Sequence, residues 1–209
     1  MTFEKVEPSK GQSLKKQIID AASRLLIEEG YDQLSLRHVA QAAGCSQMAM
    51  YRHFANKDAL VQHLCVELYT RFTEKMYGRI GAVDDPWEQI RIFIAELVKF
   101  ATSYPDHYSL LFLVRQKDQA VTEERDRMGR SFLQGIRRIV QDVLPEDTAT
   151  AVIDMRLRQI LTCLHGVAAL LISHPRAYGL TKDKAISDTV EAVADLLGRA
   201  NVERWAASR

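Results

Sequence analysis

Apolar side chains recur along almost the whole chain with the spacing of an α-helix, and this constrains the fold more than any other feature. Within residues 153–171 they follow one another at intervals of three or four, and the same spacing recurs within residues 18–26 and 186–197. Residues three and four apart share one face of a helix, so each segment presents an apolar stripe to a core. No segment has the two-residue alternation of a half-buried strand. The sequence therefore predicts an all-α fold.

Residues that start or stop helices divide this pattern into about nine helices. Gly30 ends the first helix, and Pro105 begins another. Five further segments are each preceded by a residue whose side-chain oxygen can accept a hydrogen bond from a backbone N–H group in the first turn of a helix. These candidate N-caps are Ser35, Ser46, Asn56, Asp85 and Thr181. We therefore predict an N-terminal unit of three helices that ends near Phe54, and a larger bundle joined to it by the helix from Lys57.

Composition and cysteine usage are those of an ordinary soluble protein. Apolar residues make up 47% of the 209 residues and charged residues 26%, as in average globular domains. The three cysteines lack metal-ligand spacing and suggest a reducing compartment, so we predict a cytoplasmic protein without a metal or cofactor. The longest apolar run, residues 167–172, is far shorter than the ~20 residues of a membrane span. Residues 1–12 mix charge with proline and glycine, which favours a disordered arm.

Charge indicates a partner only locally. The net charge is +1, and a value so near zero neither favours nor excludes nucleic acid. No aspartate or glutamate occurs in residues 33–57. The same interval contains the basic side chains Arg37, His38, Arg52, His53 and Lys57. A surface that binds phosphate must exclude acids as well as supply bases, so this interval is the candidate for contact with DNA.

Residues 36–54 have the spacing of two short helices that cross closely. Ala40 leaves room for the crossing, and Gly44 can adopt the left-handed conformation that a sharp turn requires. Ser46 then begins the second helix, which places residues 47–49 at its exposed N-terminal end. In a helix-turn-helix this end enters the major groove of DNA.

Several short motifs follow one another in a fixed order in this part of the chain. They are Ile19-x-x-Ala22, Glu29-Gly30-Tyr31, Val39-Ala40-x-x-Ala43-Gly44, Ser46, Tyr51-Arg52-His53-Phe54 and Lys57-x-x-Leu60. On these motifs, residues 16–64 resemble the DNA-binding domain of the TetR family of bacterial repressors. Met48 departs from the pattern, because the family usually has a very small residue there. A larger apolar tip can contact a thymine methyl or alter how deeply the helix enters the groove.

The resemblance implies two kinds of contact with double-stranded operator DNA. The residues that correspond to phosphate clamps are Ser35, Tyr51, His53 and Lys57. The residues expected to reach the bases are Arg37, Gln47, Met48 and Ala49. Ser46, which caps the second helix, is also expected at the DNA interface. An arginine fits a guanine edge and a glutamine fits an adenine edge. Phosphate contacts position the protein, whereas base contacts give it specificity.

The resemblance also implies that residues 57–203 form an effector-binding and dimerisation domain, after a DNA-binding domain at residues 13–56. Residues 103–112 and 164–167 resemble motifs of a C-terminal subgroup built around a Trp-His-Gly element, with Leu164 in place of the tryptophan. Small residues on the penultimate helix allow close approach of a second helix. We therefore predict a homodimer in which the last two helices of each subunit form the interface. The two DNA-binding domains of the dimer would bind operator half-sites about one turn of the DNA helix apart.

Aromatic and aliphatic side chains at helical spacing in the middle of the chain predict an effector pocket. The candidate lining residues are Phe93, Leu97, Tyr104, Tyr108, Phe112, Met128, Phe132, Leu161 and His165. Such a stripe is also typical of an ordinary core, and His165 also fits a structural histidine. We expect a small apolar or aromatic effector whose binding shifts the helix from Lys57 and thereby releases the operator.

Two other functions remain open for an all-α protein of this size. An enzyme on a helical bundle would need a nucleophile motif, a metal-ligand cluster or a phosphate loop, and we find none of these in the sequence. A DNA-binding regulator controlled by a protein partner would differ from a ligand sensor in having a filled core. The sequence therefore favours a transcriptional repressor over an enzyme.

Overall fold

The computed structural model describes residues 13–113, 119–174 and 179–198. Within these ranges every regular element is helical, which confirms the predicted all-α fold. The α-helices are α1 (Leu14–Glu29), α2 (Leu36–Ala42), α3 (Gln47–His53), α4 (Lys57–Ile80), α5 (Pro86–Ser103), α6 (Pro105–Tyr108), α7 (Gln119–Val143), α8 (Thr150–Ser173) and α9 (Lys182–Leu196). A π-helical turn, Ser109–Leu113, follows α6. The arm predicted to be disordered, residues 1–12, lies outside the described residues.

Five helices begin at the predicted capping residues. The side chains of Ser35, Ser46, Asn56, Asp85 and Thr181 accept hydrogen bonds of 2.8 to 3.4 Å from backbone N–H groups in the first turn of the helix that follows. Each bond satisfies an amide that a helix start leaves without an intrahelical partner, and contributes ~1 kcal/mol. The helix boundaries are therefore set by local chemistry.

The described helices pack into two compact units. Of the described residues, those within 1–73 and 104–128 belong to the first unit, and those within 74–103 and 129–209 belong to the second. Helices α4 and α7 each contribute residues to both units, and α6 belongs to the first because it packs on α1. The predicted domains, residues 13–56 and 57–203, rest on sequence motifs and stay predictions. The compact units divide the chain at other residues.

In the first unit, α1 packs against α2, and α2 packs against α3. Apolar side chains from α1, α2 and α4 that are entirely shielded from solvent form the centre of this unit. They are Ile18, Ala22, Leu26, Val39, Leu60, Leu64 and Leu68. Burying one large aliphatic side chain contributes ~1.5–3 kcal/mol relative to leaving it exposed. This core fixes α2 against α1, and α3 is held through its packing on α2.

A polar cluster lies beside this core. Arg71 on α4 donates hydrogen bonds to Asp20 on α1 at 2.5 Å and to Glu67 at 2.9 Å. His107 on α6 is completely buried, and its Nε2 lies 3.1 Å from the Ser23 Oγ on α1. Burial and, to a lesser extent, the Arg71 guanidinium lower the pKa of His107 to about 4, so the imidazole is neutral at pH 7. The cluster connects α4 and α6 to α1 by hydrogen bonds.

In the second unit, α5 packs against α8 and α9, which also pack against each other. The Tyr77 hydroxyl donates a hydrogen bond to the Phe132 carbonyl at 3.0 Å, and the two rings meet edge to face with centroids 5.4 Å apart. A Cβ added at Gly135 would lie 2.4 Å from that hydroxyl oxygen. The buried carboxylate of Glu96 accepts a hydrogen bond from Arg79 at 3.1 Å. These contacts fix α4, α5 and α7 to one another within the unit.

Helix α8 is apolar on more than its buried side. Its most apolar window has a mean hydropathy of 1.3, so by length and composition alone α8 could cross a membrane. A core helix of a soluble protein can have the same length and composition. Only 28% of that window is buried within the chain. Met155 and Leu170 are 37% and 42% exposed. A single chain therefore leaves an apolar stripe of α8 in contact with solvent.

Candidate nucleic-acid interface

The residues between α2 and α3 form the sharp turn that the sequence predicts. Gly44 has a φ of 68°, and the Cys45 N–H donates to the Ala40 carbonyl at 2.9 Å. Ala40 is buried, so no large side chain separates the helices there. The Ser46 Oγ accepts a hydrogen bond from the Ala49 N–H at 3.1 Å and begins α3. The helix-turn-helix is therefore built from contacts between residues close in sequence.

One side of α3 is held by the core. Met50 and Phe54 are each 1% exposed. The Phe54 ring meets the His63 ring edge to face, with centroids 5.3 Å apart. Ala43 and Cys45 are only half-buried, because they lie in the turn. The packed side fixes α3 in one orientation.

The opposite side of α3 is open to solvent. Met48 is 70% exposed and Tyr51 is 58% exposed, and Gln47 and Arg52 are also exposed. These four residues form one patch, because positions one turn apart lie above one another on a helix. Ala49 is half-buried at the edge of the patch. Residues predicted to enter the groove therefore occupy a face that the described residues leave uncovered.

The two serines of the predicted interface act as helix caps. The Ser35 Oγ accepts a hydrogen bond from the His38 N–H at 3.3 Å, and Ser46 caps α3 in the same way. A capping hydroxyl still has its own proton, so it can donate to a phosphate while it accepts from the helix. Arg37 is exposed in the first turn of α2. Contacts of these residues with DNA stay predictions.

Lys57 is positioned by a residue to which the sequence analysis gave no role. Its ammonium donates a hydrogen bond to the Tyr31 carbonyl at 3.1 Å and lies 4.3 Å from the centroid of the Tyr31 ring. An ammonium has three N–H donors, so this contact leaves donors for a phosphate. His53 is exposed at the end of α3, four residues before Lys57. The Glu29-Gly30-Tyr31 motif was the available signal for Tyr31.

The residues predicted to line an effector pocket fall into two groups, and the first lies in the first unit. Tyr104 and Tyr108 are buried there, and the Tyr108 ring lies 5.1 Å from the Phe112 ring. Burial raises the pKa of Tyr108 to about 12, so its hydroxyl keeps its proton at pH 7. Met128 is half-buried.

The second group lies in the second unit. Phe93 and Leu97 are buried, and the Phe93 ring lies 6.0 Å from the Phe132 ring. Leu161 and His165 are half-buried on α8, and burial lowers the pKa of His165 below its ordinary value. Both groups also fit an ordinary core, so their contact with an effector stays a prediction.

A cleft of 670 Å³ opens in the second unit, and none of the predicted pocket residues lines it. Its walls come from the N-terminal parts of α5 and α8 and from the C-terminal ends of α7 and α9. Trp87, Asp142, Arg156 and Leu197 are among the lining residues. Sequence patterns did not predict this cleft, because its walls are segments that are far apart in the chain and share no motif.

Two protein families match separate parts of the chain. Residues 18–64 match the family described as bacterial regulatory proteins, tetR family. Residues 90–200 match the family described as tetracyclin repressor-like, C-terminal domain. The second description names no Trp-His-Gly element, so membership of that subgroup stays a prediction.

Two regulators and one solved structure illustrate the relationship. The HTH-type transcriptional repressor Rv1474c of Mycobacterium tuberculosis is 31% identical over 160 residues, which cover 72% of this chain and 81% of that protein. The uncharacterized HTH-type transcriptional regulator YvdT of Bacillus subtilis is 26% identical over 99 residues, which cover 47% of this chain and 51%, about half, of that protein. The transcriptional regulator FadR from Bacillus subtilis in complex with stearoyl-CoA has a TM-score of 0.68 at 18% identity, with 89% of this chain and 99% of that chain covered. This last similarity shows the fold.

The named regulators act in transcription and are not enzymes, which agrees with the function predicted from the sequence. The matched N-terminal family covers the capped turn and the exposed face of α3. The matched C-terminal family covers most of the remaining helices. The chain therefore belongs to the TetR family of bacterial regulatory proteins and is a DNA-binding transcriptional regulator.

Proposed function

We propose that the chain acts in the cytoplasm as a homodimer that represses transcription at a palindromic operator, and that a small apolar or aromatic effector releases it. The exposed face of α3 carries the operator-binding part of this proposal. Its buried side is fixed through Met50 and Phe54, so the open side is presented in one orientation. Two such faces related by a two-fold axis would read two half-sites of a palindrome.

The proposed phosphate contacts are made by Tyr51, His53 and Lys57, which follow one another from α3 into the start of α4. Tyr51 and His53 are exposed, and Lys57 is held in place by Tyr31. Arg37 reads a base edge from the start of α2. Phosphate contacts act on all sequences alike, whereas base contacts act on particular sequences.

Operator binding is tested by selecting bound duplexes from random DNA and measuring their affinity by fluorescence anisotropy at several salt concentrations. Tyr51→Ala and Lys57→Ala should weaken binding to every duplex, and Lys57→Ala should reduce the salt slope by about one. Gln47→Ala should instead change which sequences are selected. Arg130→Ala, an exposed residue of α7, is the control for loss of a positive charge. Recovery of no enriched sequence would contradict operator binding.

The exposed stripe of α8 supports the proposed dimer. Met155 and Leu170 are exposed on it, and Gly166 lies between them. A Cβ at Gly166 would meet no atom within 4 Å among the described residues of the chain. An isologous contact between two copies of such a stripe would bury the apolar side chains and allow the helices to approach closely at the glycine.

Gly166→Gln tests this interface, and Gly78→Gln is its matched control. Both glycines lie within helices, and a Cβ at either position meets nothing within 4 Å. Glutamine favours a helix over glycine by ~0.5–1 kcal/mol, so neither change should unfold the chain. Sedimentation equilibrium should show dissociation of the Gly166 variant and an intact dimer for the Gly78 variant. An unchanged dimer in the Gly166 variant would place the interface elsewhere.

The effector class is supported by the aromatic and aliphatic groups within each unit, and by the FadR structure, which contains stearoyl-CoA. By linkage, an effector weakens operator binding only through its preference for the conformation that does not bind DNA. Stearoyl-CoA is the first probe, and coenzyme A without an acyl chain is its control. We expect at least a tenfold loss of operator affinity with the acylated probe alone. Unchanged operator affinity would exclude a long acyl chain as the effector.

A further inference from the structure

Met48 and Arg52 form a pair on the exposed face of α3. They are four residues apart, so they lie one helical turn from each other on the same face. An Arg52 guanidinium nitrogen, Nη2, lies 4.0 Å from the Met48 Sδ. Both side chains are exposed, and neither belongs to the core. The contact therefore does nothing for the packing of the described residues.

The direction of the Arg52 side chain decides what it can reach. Because its guanidinium lies beside Met48, it points towards the N-terminal end of α3, as long side chains on helices commonly do. That end is the part of a recognition helix that enters the major groove. Of the proposed phosphate contacts, His53 lies at the C-terminal end of α3 and Lys57 at the start of α4. Arg52 is therefore directed towards the end of α3 that meets base edges, and away from His53 and Lys57.

Nothing acidic competes for this guanidinium. No aspartate or glutamate occurs in residues 33–57, and within the described part of the chain no carboxylate forms an ion pair with Arg52. The thioether of Met48 covers part of its stem without neutralising its charge. The guanidinium thus keeps its donors for an acceptor outside the protein.

The chemistry of the two side chains specifies complementary groups on DNA. A guanidinium fits the O6 and N7 acceptors of guanine, and an apolar side chain fits the C5 methyl of thymine. The sulfur and the guanidinium nitrogen are 4.0 Å apart, which is close to the spacing of about 3.4 Å between neighbouring bases of one strand. The pair can therefore contact two adjacent bases at once.

We propose that Met48 and Arg52 act as one reading unit that recognises a thymine adjacent to a guanine in each half-site. Met48 contacts the thymine methyl, and its thioether holds Arg52 against the guanine edge. The inference rests on the proposed operator binding and goes beyond it by naming a base step and the two residues that read it. It also gives the large residue at position 48 a role that a very small residue cannot perform.

Base analogues in the selected duplex test this assignment one atom at a time. Deoxyuridine removes only the thymine methyl, and 7-deazaguanine removes only the N7 acceptor. With the wild-type protein, each analogue should weaken binding by about 10-fold at one thymine–guanine step per half-site. In the Met48→Ala variant, affinity should no longer depend on the replacement of thymine by deoxyuridine. In the Arg52→Gln variant, affinity should no longer depend on the replacement of guanine by 7-deazaguanine. The losses caused by the two substitutions should be non-additive, because each acts on the same contact.

Arg130→Gln is the matched control, since it also removes an exposed arginine, on α7 and outside the helix-turn-helix. It should leave both analogue effects at the thymine–guanine step intact. The proposal is overturned if Arg52→Gln weakens binding to all duplexes equally and lowers the salt slope by about one, because that behaviour indicates a phosphate contact. It is also overturned if the selected operator is insensitive to both analogues. Failure to select any operator would instead contradict the proposed function itself.

Discussion

Buried His107 makes the stability of the protein depend on pH in a way that one substitution can isolate. The imidazole is completely shielded from solvent, and its Nε2 is joined to the Ser23 Oγ. Asp20, Glu67 and Arg71 form the charged cluster on the neighbouring helices. We consider the substitution His107→Gln. The glutamine amide can still form a hydrogen bond at this position, but unlike the imidazole it does not titrate.

The magnitude follows from the difference between the folded and unfolded pKa of His107. Burial lowers the folded pKa from 6.5 to about 4, so the unfolded chain binds the proton more readily. The stabilising effect of the neutral imidazole is therefore complete above pH 6.5 and is lost as the pH falls towards 4. Linkage converts this difference into a loss of roughly 2 kcal/mol in the free energy of unfolding between pH 7 and pH 5.

Urea unfolding at pH 7 and pH 5, at one fixed protomer concentration, measures this loss. The decrease in the free energy of unfolding should be roughly 2 kcal/mol larger for the wild type than for His107→Gln. His174→Gln, an exposed histidine after α8, controls for removal of an imidazole and should behave like the wild type. An equal decrease in the wild type and the His107 variant would refute the reasoning, whatever the absolute stability of the variant.

Substitutions at three further positions test local features. Gly135→Ala places a Cβ against the Tyr77 hydroxyl and should lower the free energy of unfolding in urea by about 1–3 kcal/mol. An unchanged midpoint of urea unfolding would show that the Tyr77 ring moves aside freely. Ser46→Ala removes the cap of α3 and should cost ~1 kcal/mol in the same assay, whereas Ser46→Asp should retain the cap. Tyr51→Phe should weaken binding to all duplexes about fivefold in anisotropy measurements, and an unchanged affinity would exclude its hydroxyl as a phosphate donor.

The features that could be predicted from the sequence are those set by residues near one another in the chain. Ser46 caps a helix whose first turn directly follows it, and Gly44 permits a turn between adjacent helices. Side-chain periodicity within residues 18–26 also located buried residues, since Ile18, Ala22 and Leu26 are entirely shielded from solvent. Local rules of this kind need no knowledge of the rest of the fold.

The features that the sequence did not reveal depend on distant partners. The Ser23 and His107 side chains meet although they are 84 positions apart, and nothing in either segment specifies the other. The contact between Lys57 and Tyr31 also joins separate elements. The direction of Arg52 could not be derived either, because it depends on the particular residue one turn earlier. Tertiary packing decides such contacts after the local elements have formed.

Helix α4 has 24 residues and is therefore about 36 Å long, since each residue advances the helix by about 1.5 Å. A straight rod of that length that tilts by about 5° around one end moves its other end by ~3 Å, close to the distance between successive base pairs. The first residue of α4 is Lys57, which directly follows the helix-turn-helix. In the proposed operator complex, an angular change too small to break any hydrogen bond along α4 would thus displace the helix-turn-helix from its half-site by almost one base pair.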